Sequence, residues 1–312
     1  MQNWQLPEHF SDILPEQAWT LEEKKMTLLQ LYRQAGFQYV IPSVMEYSKQ
    51  IAIGKTLQTH SIGFLDHLTG EQIALRADFT PQIARLDSHV LKTNNIQKLC
   101  YAGVAVHSRP LVPACERELF QVGAELYGDA SIHADALIID LALQSVTLLG
   151  LAESTLTLNL SGIHLLPQIC LQQEHNYQAL QQKSITDLDH DHHWILNCMA
   201  DSNELDFIEK QLHEHQNQYG KQHFAEAYQS WLEIKTLIIQ LKTKYPQLNI
   251  VIDLADVPSF EYHTGIYFSV YHQQSILSIA RGGRYDNIAK QLGYTEESRP
   301  ATGFSLNLRE FI

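Results

Sequence analysis

The sequence predicts an α+β fold, in which helices flank several antiparallel strands. Two strand patterns, at 99–106 and 119–127, follow one another across a proline-rich connection, which is typical of an antiparallel pair. The sequence contains neither a G-x-G-x-x-G loop after a strand nor a G-x-x-x-x-G-K-[ST] loop, so the usual nucleotide loops are not predicted. Residues 164–247 are rich in Gln and His and helical in pattern. We therefore expect a core of residues 1–163 and 248–312 that carries a mostly helical insertion at 164–247.

Helix and strand patterns alternate through the first part of the core. Gly36 and Gly150 follow helical patterns as stop signals. Thr80 followed by Pro81 predicts the N-cap and the first position of a helix. The predicted elements are a helix at 16–35, β-rich chain at 37–47, a strand at 73–75, a helix from residue 80, strands at 99–106 and 119–127, a helix at 134–149 and a strand at 155–160.

Strand patterns resume after the insertion. Two glycines and two arginines stand together in Arg281-Gly282-Gly283-Arg284-Tyr285, just before the last predicted helix. This run either lets the backbone approach a ligand between two guanidinium groups or forms a plain turn, and the sequence leaves both open. The predicted elements are strands from residue 249, at 262–271 and at 276–280, a helix ending at residue 292 and a strand at 301–308.

The charge balance is acidic. Lys plus Arg number 22 and Asp plus Glu number 35, so the formal net charge is −13. Because affinity for nucleic acid comes mainly from Lys and Arg at phosphates, we expect no nucleic-acid partner. No apolar run approaches the roughly 18 residues of a membrane span, and the N-terminus has no signal-peptide pattern. The sequence therefore predicts a cytoplasmic protein without a membrane partner.

Histidines are concentrated in the insertion, where a metal site competes with a solvated surface as the interpretation. The cysteines are far apart and show no zinc spacing, and no H-E-x-x-H motif occurs. We therefore predict no metal site, no disulfide framework and no cofactor. The histidine-rich segment comprises Asp189, His190, Asp191, His192 and His193, followed by His213 and His215.

The strand at 119–127 carries the most informative polar pattern. Side chains alternate along a strand, so Gln121 and Glu125 share a face with Gly123 between them. The glycine would leave space for a small polar ligand, and Glu125 is able to accept N–H bonds from an ammonium or an imidazole. The alternative is an open polar sheet face in water.

The turn before the predicted helix at residue 80 holds Asp78. A carboxylate is favoured at a helix N-terminus by the helix dipole. Asp78 is therefore either a capping residue or a partner for a ligand ammonium, and the pattern alone does not separate the two.

Taken in chain order, these segments resemble the catalytic domain of the histidyl-tRNA synthetase family, which has a class II synthetase core. The variants at 76–85 and 262–265 are similar to the paralogous family that serves as regulatory subunit of short-form ATP phosphoribosyltransferase, the first enzyme of histidine biosynthesis. The resemblance covers nearly the whole chain apart from the insertion. The segments are Leu75-Arg76-Ala77-Asp78-Phe79-Thr80, Gln121-Val122-Gly123-Ala124-Glu125, Glu261-Tyr262-His263-Thr264-Gly265, Gly282-Gly283-Arg284-Tyr285-Asp286 and Ala301-Thr302-Gly303-Phe304.

Three departures from the synthetase pattern are losses of positive charge. The ATP-binding arginine of the second class II motif falls on His107, and that of the third falls on Glu310. Arg309 is adjacent, but one residue along a helix turns a side chain by about 100°. The arginine that the family uses beside the activated amino acid falls on Pro258. The resemblance therefore implies that adenylate chemistry is lost, since phosphate charge needs preorganised cations, and no catalytic residue is predicted.

The amino-acid pocket of the family is partly retained. By resemblance, Asp78 and Thr80 match positions that hold the histidine ammonium, and Gln121 and Glu125 match positions that face the ammonium and imidazole. The remaining matches are Tyr262 and His263 at a pair of wall tyrosines, of which the second is changed, and His107 at the carboxylate partner. Arg109, Arg117 and Arg284 are candidate anion contacts.

The resemblance implies a non-catalytic regulatory subunit. Its expected partner is the catalytic short-form ATP phosphoribosyltransferase chain, with self-association as a dimer around Pro42 inside a hetero-oligomer and with histidine as a ligand. We expect no anticodon-binding domain after the segment at Gly303 and Phe304, which agrees with the acidic balance. The alternatives are an amino-acid-activating ligase without a tRNA domain and a free-standing histidine-binding protein.

Overall fold

The computed structural model describes residues 5–51, 60–113, 115–162, 179, 186–187, 199–201, 205–214, 221–253 and 262–312. The chain divides into two compact units. The first comprises Met1–Asp129, Phe260–Tyr262 and Asp286–Ile312, and the second comprises Ala130–Ser259 and His263–Tyr285. Each unit is thus assembled from segments that are distant in sequence. The predicted insertion at 164–247 stays a prediction.

Two strands, Ile62–Leu65 and Met199–Asp201, were not predicted from the sequence, and the others overlap or adjoin predicted strand segments. The strands are β1 Gln38–Tyr39, β2 Met45–Tyr47, β3 Ile62–Leu65, β4 Gln72–Leu75, β5 Gln97–Val106, β6 Glu118–Tyr127, β7 Leu156–Gly162, β8 Met199–Asp201, β9 Asn249–Asp253, β10 Ile266–His272, β11 Ala280–Arg284 and β12 Ala301–Asn307.

The helices begin and end close to the predicted signals. Gly36 follows the first helix with a φ of 87°, and Gly150 follows the helix of the second unit with a φ of 106°, conformations that favour glycine. The helices are Pro15–Gln34, Ser48–Ile51, Thr80–Arg85 with a π-helical continuation Leu86–Leu91, Ile132–Leu148, Leu205–Glu214, Lys221–Lys244 and Ile288–Gln291, with 3₁₀ turns at Glu153–Thr155 and Leu308–Phe311.

The first unit contains strands β1, β5, β6 and β12 side by side in that order. The pairs β5–β6 and β6–β12 are antiparallel, whereas β1 runs parallel to β5. A separate antiparallel sheet has the order β2–β4–β3. The first helix buries Leu28 and Tyr32, and the Tyr32 ring meets Phe304 of β12 edge-on at 5.8 Å. The first helix thus packs against β12, which is paired with β6.

The second unit contains strands β11, β10, β7, β9 and β8 in that order. Only β7–β9 is parallel among these pairs. The helix Ile132–Leu148 packs most of its length into the unit, including the polar residues Asp135 and Ser145. Tyr245 donates a 2.6 Å hydrogen bond to the Asp140 carboxylate on the outer part of that helix. The two parallel pairs make the sheets mixed, although antiparallel pairing dominates as predicted.

One local prediction is wrong, and one of two open interpretations is excluded. Thr80 is not an N-cap: the helix begins at Thr80 itself, Phe79 occupies the cap position, and no side chain caps the helix. Its hydroxyl instead makes a tertiary hydrogen bond, described below. The run from Arg281 to Tyr285 is not a turn either, because residues up to Arg284 form β11 and pair with β10.

Across the described ranges, no helix combines the length and the apolar character that a membrane crossing requires. The longest helix, Lys221–Lys244, carries charged residues along its length.

Candidate ligand-binding site

Glu125 of β6 forms the centre of a buried polar cluster in the first unit. Its residue exposure is 1%, so the predicted alternative of a sheet face open to water is wrong. Thr80 donates a hydrogen bond from Oγ1 to Glu125 Oε1 at 2.9 Å, and the Tyr127 hydroxyl donates to Oε2. These donors are neutral hydroxyls, which hold the carboxylate in place without cancelling its charge.

Asp78 forms a second buried carboxylate in the same unit, in the turn between β4 and the helix Thr80–Arg85. Its Oδ1 accepts the backbone N–H of Phe79 at 2.9 Å, and its Oδ2 accepts the Tyr262 hydroxyl at 3.0 Å. The first bond is a local turn contact, and the second joins residues 184 positions apart. Asp78 is therefore more than a helix cap, because a tertiary donor orients its carboxylate.

A stack of three side chains supports this turn. The Arg76 guanidinium lies 3.9 Å from the centre of the Phe79 ring, and Phe79 stacks on Tyr101 with ring centres 4.3 Å apart. Arg76 also donates from Nε to the Val104 carbonyl at 2.6 Å and from Nη1 to the Pro42 carbonyl at 3.1 Å. Burial lowers the pKa of Arg76 to about 10, which leaves it charged at neutral pH. Arg76 thus connects the backbone at Pro42 to the backbone at Val104.

Tyr101 fills the space that the sequence assigns to Gly123. The two residues are paired across β5 and β6, and a Cβ on Gly123 would lie 2.5 Å from the Tyr101 hydroxyl. The glycine therefore makes room for a phenol of the protein, not for an open floor as predicted. Burial, followed by the charges of Glu125 and Asp78, raises the pKa of Tyr101 well above its usual value, so its hydroxyl stays protonated.

Gln121 lies on the same face of β6 as Glu125, as predicted, and is 4% exposed. Within the part of the chain that the structure describes, Gln121 Oε1 is buried without a hydrogen-bond partner. A buried polar atom without a partner is costly and calls for an explanation. A ligand N–H group directed at Gln121 Oε1 would supply the missing donor.

His107 contacts the turn that contains Asp78. Its Nε2 is 3.0 Å from the carbonyl oxygen of Ala77, so Nε2 must carry the proton in this contact. The ring also meets His60 edge-on at 5.3 Å. This geometry makes His107 a positioning group for the turn, and its Nε2–H is directed at the protein backbone.

The remaining arginine candidates in the first unit differ in whether their guanidinium groups are accessible to an anion. Arg117 donates to the His107 carbonyl at 3.0 Å and lies over the Phe10 ring, whereas Arg109 is exposed. Arg309 donates to Glu118 at 3.0 Å and to Ser11, and Glu310 accepts from Asn307. Arg109 is thus the candidate that remains accessible for an anion.

The last two predicted site residues belong to the second unit. Arg284 donates to Asp135 Oδ2 from Nε at 3.1 Å and from Nη2 at 2.7 Å, so any anion there would compete with Asp135. His263 contacts the Tyr267 ring edge-on at 5.1 Å. Burial lowers the pKa of His263 to about 3; a backbone hydrogen bond with Arg284 opposes this shift and the charge of Arg281 adds to it. His263 is therefore neutral at physiological pH.

Sequence reasoning missed Tyr101, Tyr127 and Arg76 as members of the first-unit cluster. Tyr127 stands two residues after Glu125, so the alternation that placed Gln121 and Glu125 on one face was a usable signal for it. The role of Tyr101 depends on the register opposite Gly123, which the pattern does not give. Across the described ranges, no group of three His, Cys, Asp or Glu side chains is arranged to hold a metal. The segment Asp189–His193 and His215 lie outside those ranges.

Comparison with known proteins agrees with the sequence resemblance. The model of the histidyl-tRNA synthetase family matches residues 9–311. Relatives named ATP phosphoribosyltransferase regulatory subunit include one from Burkholderia cenocepacia, 36% identical over 99% of this chain and 82% of its own length. Another, from Thiobacillus denitrificans, is 33% identical over 100% of this chain and 98% of its own length.

Solved structures show the same fold at low sequence identity. An ATP phosphoribosyltransferase regulatory subunit/histidyl-tRNA synthetase from Bacillus halodurans has a TM-score of 0.83 at 19% identity, covering 99% of this chain and 82% of its own. A histidine–tRNA ligase subunit from Alicyclobacillus acidocaldarius has a TM-score of 0.79 at 21% identity, covering 98% and 96%. The fold is thus that of a class II aminoacyl-tRNA synthetase-like protein, as predicted. Within that class, the chain belongs to the histidyl-tRNA synthetase-like family of ATP phosphoribosyltransferase regulatory subunits.

Proposed function

We propose that this chain is a non-catalytic subunit that binds the catalytic chain of a short-form ATP phosphoribosyltransferase and raises its activity. In this proposal the Asp78–Glu125 cluster takes the ammonium and imidazole of histidine as a regulatory ligand. The observation that carries the ligand proposal is the buried, unpartnered Gln121 Oε1 on the face of β6 that also carries Glu125, whose carboxylate accepts hydrogen bonds from neutral hydroxyls. The relatives named as regulatory subunits support the partner proposal.

The hydrogen bonds and ring contacts that the arginines make within the protein argue against a ligase. Adenylate formation needs cations aimed at the phosphates of ATP. Arg76 is stacked on Phe79 and bonded to backbone carbonyls, Arg309 is bonded to Glu118, and the third-motif position is Glu310. Amino-acid-dependent exchange between ATP and pyrophosphate tests this directly. We expect no exchange with any amino acid, and clear exchange with histidine would overturn the non-catalytic assignment.

Self-association belongs to the same proposal. In the first unit β1 is the outermost strand, and the chain that follows exposes Ile41, Val44 and Met45. An edge strand with apolar neighbours is a ready surface for pairing with a second copy. We expect Ile41→Glu to lower the mass measured by light scattering from dimer to monomer, while Trp19→Glu, on an exposed helix position, leaves it unchanged.

The partner proposal has its own test, independent of the ligand. The chain and a short-form catalytic chain are co-expressed, and one is purified by a tag on the other. We expect a stable hetero-oligomer, formed in the cytoplasm, and a higher rate of phosphoribosyl-ATP formation than that of the catalytic chain alone. Separate elution of the two chains would favour a free-standing histidine-binding protein instead.

A further inference from the structure

A polar cleft of about 330 Å³ lies in the first unit and shares no residue with the cluster around Glu125. One of its walls is formed by the π-helical turn Leu86–Leu91 and the loop that follows it, and another is formed by residues 295–300, which lead into β12. The volume falls within the range of small-molecule pockets, and π-helical turns often occur at functional sites. The cleft is therefore large enough for a small ligand.

Arg299 lines the cleft with a guanidinium group that the protein holds in place and only partly uses. Its Nε donates to Asp87 Oδ2 at 2.7 Å, and its Nη2 donates to the Asn95 carbonyl at 2.8 Å. Gly128, with a φ of 86°, makes room for the guanidinium, since a Cβ there would lie 3.3 Å from Nη1. Among the described residues Nη1 has no acceptor, and the side chain is 19% exposed. Two N–H groups of an oriented cation thus remain for a ligand.

The loop after the π-helical turn adds three donors to the lining of the cleft. Lys92 is exposed, has a φ of 47° and forms no ion pair with any residue that the structure describes. Thr93 Oγ1 accepts the backbone N–H of Asn95 at 3.1 Å, which leaves its hydroxyl proton for another acceptor. Asn94 is exposed beside them. Together with Arg299, these groups offer more donors than the two oxygens of a carboxylate would use.

The charges at the cleft favour an anion locally, although the chain as a whole is acidic. Asp87 is 1% exposed, and its charge is compensated by Arg299. Lys92 adds a positive charge, which the exposed carboxylate of Glu297 opposes from the other wall. The formal net charge of −13 excludes a general attraction of anions to the surface. Any anion bound here would therefore be held by the donors of the cleft itself.

We propose that this cleft binds the phosphoryl group of a small phosphate, with its oxygens at Arg299 Nη1 and Lys92. A phosphoryl group presents three acceptor oxygens, which match a guanidinium and an ammonium better than a carboxylate does. Hydroxyl side chains line the rest of the cleft and suit an organic part that carries hydroxyl groups; they belong to Ser88, Thr295 and Ser298. The site goes beyond the proposed function, because it needs neither the histidine cluster nor the catalytic chain.

The test is a calorimetric titration of the full chain, at constant ionic strength, with inorganic phosphate, glycerol 3-phosphate and glycerol. We expect saturable binding of both phosphates at one site and no binding of glycerol. Tighter binding of glycerol 3-phosphate would support a site for an organic phosphate, and equal affinities would support a site for the phosphoryl group alone. The absence of saturable binding for both phosphates would overturn the proposal.

Two matched pairs of variants place the binding in the cleft. Lys92→Gln is expected to weaken phosphate binding about fivefold, and Lys290→Gln, an exposed lysine outside the cleft, is expected to leave it unchanged. Glu297→Gln should strengthen binding about threefold by removing the opposing charge, whereas Glu296→Gln, its exposed neighbour outside the cleft, should not. Arg299 is kept, because its loss would leave a buried carboxylate without its cation.

The two pairs separate a specific site from surface charge. Equal losses in Lys92→Gln and Lys290→Gln, or equal gains in Glu297→Gln and Glu296→Gln, would mean that only the net charge matters and would overturn the proposal. Histidine binding and activation of the catalytic chain are measured separately, so failure here leaves the proposed function standing.

Discussion

Buried carboxylates occur in both compact units, and their partners differ in kind. In the second unit, Asp135 receives two charge-assisted bonds from Arg284, whose side chain is 10% exposed. In the first unit, Glu125 receives hydroxyl donors from Thr80 and Tyr127, and Asp78 receives one from Tyr262. An arginine neutralises the acid it holds, while a hydroxyl only orients it. The difference distinguishes an ion pair from carboxylates that are oriented by hydroxyl donors.

The largest expected effect on stability comes from breaking the ion pair between Arg284 and Asp135. Arg284→Ala leaves Asp135 buried at 4% exposure without its cation, which we expect to reduce the free energy of unfolding by about 3–5 kcal/mol. Urea denaturation followed by circular dichroism measures this loss. Arg33→Ala, in the exposed last turn of the first helix, is the matched control and should change stability little. A loss below about 1 kcal/mol for Arg284→Ala would remove the distinction between the two regions.

The next effect concerns the ligand cluster. Glu125→Ala removes the central acceptor, and we expect it to weaken histidine binding by about 1–3 kcal/mol because a ligand donor is left unpaired. Isothermal calorimetry on the variant and on Glu23→Ala gives the comparison. Unchanged affinity in Glu125→Ala would exclude Glu125 from the pocket.

A smaller effect is expected from the hydroxyl that orients Glu125. Tyr127→Phe keeps the ring and removes the donor to Oε2, so we expect ligand affinity to fall by about 1 kcal/mol. Tyr294→Phe is a matched control, because it also loses one hydroxyl bond, to the Gln50 carbonyl at 2.7 Å. Equal ligand affinities in the two variants would show that the Tyr127 hydroxyl does not contribute to ligand binding.

The smallest effect is a pH dependence in the second unit. Burial lowers the pKa of folded His263 from 6.5 to about 3, so the unfolded chain binds a proton between these values and the folded chain does not. Stability is complete above the unfolded pKa and decreases as the pH falls below it. We expect a loss of about 1 kcal/mol from this residue between pH 6.5 and about pH 5.5.

His263→Gln removes this titration and provides the check on it. Its unfolding free energy, measured by urea denaturation at both pH values, should fall less than that of the unsubstituted protein. An identical decrease in the two proteins would mean that His263 does not contribute.

Local pattern predicted the elements well but predicted contacts between them poorly. The alternation in 119–127 correctly placed Gln121 and Glu125 on one face of β6. The same pattern did not show that Tyr101 covers Gly123, because that depends on the register of β5 against β6. Thr80 was predicted as a cap, since capping is a local property, whereas its hydroxyl bonds Glu125 at a separation of 45 residues. Burial of the cluster likewise follows from the tertiary packing of the unit.

The most direct test of the regulatory assignment is a mixing experiment with the catalytic chain. The rate of phosphoribosyl-ATP formation is measured at a fixed amount of catalytic chain, with increasing amounts of this chain and with or without histidine. We expect the rate to rise to a plateau, with histidine lowering the plateau for the unsubstituted protein and not for Glu125→Gln. An unchanged rate at saturating amounts of this chain would contradict the account.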